Sequence, residues 1–85
     1  MSTSPRRSER LLALVRELLE AAEIDVEVDE NTSLLRSELL DSLAVVQIAG
    51  WVNDELSGRL DLESVNIREE WDSIAAILAF VDRDA

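Results

Sequence analysis

The 85-residue chain contains no cysteine and no histidine. That excludes disulfides, thiolate or imidazole metal sites and a Ser-His-Asp triad within it. Any thiol chemistry here needs a thiol supplied by a cofactor. Carboxylates alone can act as acid and base, but they need a shaped cleft, which so short a helical chain rarely encloses. The chain is therefore not expected to be an enzyme. Only two glycines and one proline accompany an apolar content of 47%, which argues against a disordered or low-complexity chain. No apolar run approaches the roughly 20 residues that cross a bilayer. Residues 1–10 lack the apolar stretch of a secretory signal, so the expected location is cytoplasmic. Positive charge is also scarce, with 8 basic against 19 acidic residues and a net charge of −11. Residues 1–10 hold three arginines and one glutamate, a net +2, which leaves −13 on the remainder. An acidic body of this kind repels nucleic acid and anionic membranes, and it favours both solubility and basic partner surfaces.

What the chain does have is leucine, alanine, valine, glutamate and arginine, a mixture that favours helix. Its length suits one domain with one modest core, expected as a monomer spanning residues 1–85 with residues 1–5 flexible. Ser4-Pro5 reads as an N-cap and first helical position. Leu11, Val15, Leu18 and Ala22 then recur at helical spacing and predict a helix over about residues 6–22. Ile24 to Val28 alternates apolar and polar, the signal of a strand. A lone strand in a helical chain has nothing to pair with, so an extended loop is expected. Asp25, Glu27, Asp29 and Asn31 echo a calcium loop. Glu30 stands where that loop requires glycine, however, and Arg36 where it requires glutamate, so the acids read as solvated.

A long amphipathic stretch, Ala44 to Leu56, follows. Val45, Ile48, Ala49, Val52 and Leu56 predict its buried stripe. Leu43, Gln47, Gly50 and Asp54 fall on the opposite side, with Val46 at the edge, and Trp51 borders the core. Gly58 suits the left-handed C′ position that ends such a helix. Leu60 and Leu62 lead to a short third helix near Ser64–Ile67. The last helix opens at Trp71-Asp72-Ser73-Ile74, with Asp72 as cap and Trp71 as staple. Ile74, Ile77, Leu78 and Val81 form its apolar stripe, bordered by Phe80. The expected fold is all-α: a four-helix bundle with three longer helices and one short third helix.

Leu39-Leu40-Asp41-Ser42-Leu43 stands at the centre of this arrangement. The Asp41 carboxylate can accept from free N–H groups of the first helical turn, leaving the Ser42 hydroxyl at the helix mouth. There the positive end of the helix dipole favours a phosphoester. Asp72-Ser73-Ile74 nearly repeats the motif, and helix capping alone explains both. Element order separates them: Ser42 opens the long central helix after a long loop, whereas Ser73 follows a bulky aromatic that pins it to the core.

The Asp41-Ser42-Leu43 segment resembles the attachment motif of acyl carrier proteins. Val28-Asp29-Glu30-Asn31-Thr32-Ser33-Leu34 resembles the loop that precedes it in that family, and the aromatic before an Ile-rich final helix resembles the family's C-terminal end. The resemblance implies a four-helix acyl-carrier-like fold. It implies that Ser42 carries 4′-phosphopantetheine, donated by coenzyme A through a phosphopantetheinyl transferase, with Asp41 capping and orienting. The thiol of that arm would hold an acyl or aminoacyl thioester for loading and processing enzymes. Leu43, Val46, Gln47 and Gly50 become candidates for docking those partners. Two departures stand out. Glu38 replaces a glycine that many carriers place shortly before the motif, and Ala44 and Gln47 replace carboxylates common in fatty-acid carriers. The first bears on the local turn geometry. Leu39-Leu40 with the acidic body suggests the acyl rather than the peptidyl branch, and the second-helix departures at this length suggest a discrete carrier of polyketide or related secondary metabolism. The alternatives are a fatty-acid synthesis carrier and an unmodified helical adaptor that binds a protein partner through the second helix.

Overall fold

The computed structural model describes residues 6–84. The first helix, α1, runs Arg7–Ala21, close to its predicted span. Arg6, not Ser4, is its N-cap, and the Ser4-Pro5 start lies outside the described residues. Helix α2 runs Ser42–Glu55, a 3₁₀ turn occupies Leu62–Ser64, α3 is the four-residue Ile67–Glu70, and α4 runs Ile74–Asp84. No strand forms among the described residues, and the alternating Ile24–Val28 segment is loop, neither helix, turn nor strand. The short third helix lies slightly later than predicted. Asp61 caps the 3₁₀ turn through Glu63 N–H, and only from Ile67 does the chain turn into α-helix.

Among the described residues, sixteen apolar side chains make one core, including Leu11, Val15 and Leu19 of α1, Ile48, Val52 and Leu56 at α2, and Ile74, Ile77 and Val81 of α4. The α2 stripe is rotated from its predicted position. Ala44, Ile48, Val52 and Leu56 are buried, while Val45 and Ala49 are only half-buried. This i, i+4, i+8, i+12 row is the inclined ridge by which crossed helices interlock, whereas a stripe drawn along the axis mixes it with the neighbouring row. On α4, Phe80 joins the core and packs edge-on against the buried Trp71 at 5.5 Å, while Leu78 is only half-buried.

Helices α1 and α2 both end in Schellman motifs without glycine at the left-handed position. Glu23 (φ 60°) follows α1 and Ser57 (φ 56°) follows α2, with six-to-one bonds from Ile24 N to Leu19 O and from Gly58 N to Asn53 O. Gly58 is therefore the residue after C′, not C′ itself.

At the opposite end of the bundle from α2's start, one carboxylate joins α1 and α2. Glu55, with 13% of its side chain exposed, accepts from Arg7 Nε at 2.8 Å and from both terminal nitrogens of Arg10 at 2.8 and 3.0 Å. Arg7 also reaches Asp82 of α4 at 2.8 Å, and Arg10 lies 5.9 Å from the Trp51 ring. Arg10's hydrogen bonds, opposed by burial and reinforced by Arg7, hold the Glu55 carboxyl below the usual glutamate range.

A carboxyl whose folded pKa is depressed contributes stability above its unfolded pKa, about 4.3 for glutamate, and that contribution is lost as pH falls through the folded value. Urea unfolding followed from neutral to acid pH should therefore show stability falling below about pH 4, with a shallower fall in Glu55→Gln. A Cβ built on Gly50 meets nothing within 4 Å. Gly50→Ala should accordingly raise unfolding stability by about 0.5–1 kcal/mol.

Candidate functional site

The Asp41 backbone is extended, and its carboxylate accepts from Ala44 N at 2.9 Å, so Asp41 is the N-cap of α2. Ser42 is then the first helical residue. Its side chain is exposed, and among the described residues its hydroxyl makes no hydrogen bond. The first-turn N–H groups that lack intrahelical acceptors surround it, a setting that stabilises an anionic ester on its oxygen. Leu43 and Val46 are 69% and 65% exposed, and Gln47 and Gly50 are exposed beside them, so the four form one outer strip running away from Ser42. An open cleft of about 250 Å³ separates this strip's base from α1, between Leu18 and Ala22 on one side and Leu43 and Gln47 on the other. Ala44 is not part of the strip. It is 7% exposed and faces the core, so only Gln47 bears on the charge of the outer surface.

The second Asp-Ser pair is built one residue out of register with the first. Ser73, not Asp72, is the N-cap of α4, and its hydroxyl oxygen accepts from Ala76 N at 3.1 Å. Half-buried and already committed, that oxygen is unlike the free one on Ser42. Asp72 faces away from α4 and holds the loop that leads to the site. Its two oxygens accept from Ser33 Oγ at 3.0 and 2.9 Å, and Oδ1 also accepts from Leu35 N at 2.9 Å and Arg36 N at 2.8 Å. Backbone bonds from Leu34 N to Asp72 O and from Ala75 N to Glu30 O complete the junction. Burial pushes the Asp72 carboxyl up. The bonds from Arg36 N, Ser33 Oγ and Leu35 N, with the Arg36 charge, outweigh it and hold the group below the usual aspartate range.

Between that junction and α2 the chain must reverse within a few residues. Leu34 and Leu35 are buried as plugs, Leu40 N donates to Leu34 O at 3.1 Å, and Glu38 takes the left-handed region at φ 62°. Position 38 thus has a positive φ that glycine adopts freely, and glutamate occupies it here at a conformational cost. Upstream, Thr32 Oγ1 accepts from Asp29 N at 2.9 Å and Asp29 Oδ1 accepts from Asn31 N at 2.8 Å, closing the turn that starts the loop. The Asp72 tie had no signal in the local sequence. Its partners lie 36–39 residues away, and an Asp before a helix reads first as a cap.

A family model described as phosphopantetheine attachment site matches residues 9–81. The chain belongs to that family. Its members bind the 4′-phosphopantetheine prosthetic group and are generally non-catalytic carriers that work with a phosphopantetheinyl transferase and biosynthetic enzymes. No curated protein and no solved structure matches the chain. The all-helical bundle agrees with the family fold, and no helix among the described residues is long and apolar enough to cross a membrane. The start of α2 presents an exposed hydroxyl beside first-turn N–H groups, the kind of setting in which a phosphate is favoured.

Two variants probe this framework in thermal and urea unfolding. Asp72→Ala leaves two backbone N–H donors unpaired and should cost roughly 2–3 kcal/mol, with increased amide exchange across residues 33–40. Glu38→Gly relieves the left-handed glutamate and should stabilise the protein by about 1 kcal/mol.

Proposed function

We propose that Ser42 is the attachment point for 4′-phosphopantetheine and that the chain is an acyl carrier. A separate transferase would move the group from coenzyme A. A bond would form between Ser42 Oγ and the phosphorus that bears the pantetheine, the pyrophosphate bond would break to release the adenosine bisphosphate, and the hydroxyl proton would pass to the transferase or solvent. When bound, the group supplies the thiol on which an acyl or aminoacyl cargo is held as a thioester. Asp41 fixes the first turn of α2 and so aims the hydroxyl outward. Leu43, Val46, Gln47 and Gly50 form the surface on which the transferase and the acyl-loading and processing enzymes dock.

The observation that carries the proposal is the contrast between the two serines. Ser42 presents a free, exposed hydroxyl at the first position of the central helix, whereas the Ser73 oxygen is engaged as a cap. The apolar strip beside Ser42 supports the docking surface, since exposed apolar side chains clustered at a site mark contact with a partner. With no acid in the first turn of α2 and Gln47 on its outer face, recognition rests more on apolar contact than on carboxylates. That suits a discrete carrier in polyketide or related secondary metabolism.

The proposal is tested by intact mass after incubation with coenzyme A and a broad-specificity phosphopantetheinyl transferase. One phosphopantetheine per chain is expected, absent in Ser42→Ala and retained in Ser73→Ala. Val46→Glu should slow modification without unfolding the protein. An unmodified wild-type chain would favour a helical adaptor instead, and an adduct that survives Ser42→Ala would displace the assignment to another residue.

A further inference from the structure

The alternating Ile24–Val28 segment is neither helix nor turn, and it pairs with nothing among the described residues. Among the described residues, the N–H and C=O groups of Asp25, Val26, Glu27 and Val28 take part in no hydrogen bond, although Ile24 N and Asp29 N on either side are both satisfied. The apolar row of the segment is also incomplete. Ile24 is half-buried and Val28 is 7% exposed, but Val26 between them is 46% exposed. Beside this gap runs an open groove of about 320 Å³, with Arg16, Leu19 and Glu20 of α1 on one wall and residues 25–28 on the other. Its ionisable rim is Glu20, Asp25 and Glu27 against the single Arg16.

A loop backbone with four successive residues unpaired, an uncovered apolar side chain at its centre and an acidic rim together define what fits. We propose that this groove takes an extended, basic segment of a partner protein, which pairs with residues 25–28 as an added strand. Main-chain bonds to the unpaired groups would hold the segment in register. An apolar side chain at every second position would cover Val26, and the intervening lysine or arginine side chains would face Asp25, Glu27 and Glu20. A second copy of this chain is disfavoured as the occupant, because it would bring a like-charged rim against this one. Ile24 also lines the small cavity beneath Asp41, so the bound strand would lie at the same end of the bundle as Ser42. A partner held there would be oriented toward the start of α2. The proposal does not depend on whether Ser42 is modified.

The test is a heteronuclear NMR titration of the full chain with a capped synthetic peptide that alternates lysine and valine. The expected result is amide shifts centred on residues 16–28, with hydrogen exchange at Val26 and Val28 slowed at least about tenfold. The double variant Asp25→Lys, Glu27→Lys should weaken binding about tenfold or more while leaving thermal unfolding nearly unchanged, since both side chains are exposed. The same peptide N-methylated at alternate residues should lose binding to a similar degree. Equal binding of the methylated peptide would overturn strand pairing in favour of charge attraction alone. Shifts centred on Leu43–Gly50, or none, would overturn the site itself.

Discussion

The carboxylate of Asp72 joins two parts of the chain that the helices by themselves leave independent. A helix bundle fixes where its helices lie but not the course of a long connection between them. Here the connection between α1 and α2 is twenty residues long, and its second half decides where α2 begins. Asp72 accepts from a hydroxyl and two consecutive backbone N–H groups of that connection, while Leu34 N bonds back to Asp72's own carbonyl. With Leu34 and Leu35 buried under the helices, the segment becomes an anchored bridge from the start of α4 to the start of α2. A charge-assisted acceptor shared among several donors is stronger than the neutral bonds of an ordinary loop.

The placement of the exposed serine follows from that anchor. Leu40 N closes onto Leu34 O, Glu38 supplies the reversal, and Asp41 then caps α2, so Ser42 enters as the first helical residue with its hydroxyl free. The clamp at Glu55, Arg7 and Arg10 acts at the other end of α2 and fixes it against α1. Between the two ends, the buried i+4 ridge leaves the opposite strip of Leu43, Val46, Gln47 and Gly50 outward. A family whose members bind phosphopantetheine needs little more from the protein than this: a rigid helix start, a hydroxyl beside it and a surface on which other proteins can land. The chemistry itself resides in the prosthetic group.

Much of this was legible in the residues. The periodicity of α1, α2 and α4 placed three helices within a few positions of where they form, because burying an apolar face at 3.6-residue spacing dominates their stability. Asp41 was recognisable as a cap. The errors share a cause. Asp72, Gly58 and the α2 stripe were assigned from neighbours in sequence, and each is settled by a residue far along the chain or by the angle at which helices meet.

The sequence by itself determined the helical class, the lack of thiol and imidazole side chains, the near-repeat of Asp-Ser and the surplus of negative charge, since these depend only on composition and local spacing. Element order already set Ser42 apart from Ser73, but only the tertiary structure decided that one hydroxyl stays free while the other is engaged as a cap. The physical reason is a shift of one residue. Asp72 is drawn away from its own helix by donors thirty-six or more residues distant, so Ser73 must take over the cap, whereas Asp41 has no such competing partner among the described residues and leaves Ser42 uncommitted.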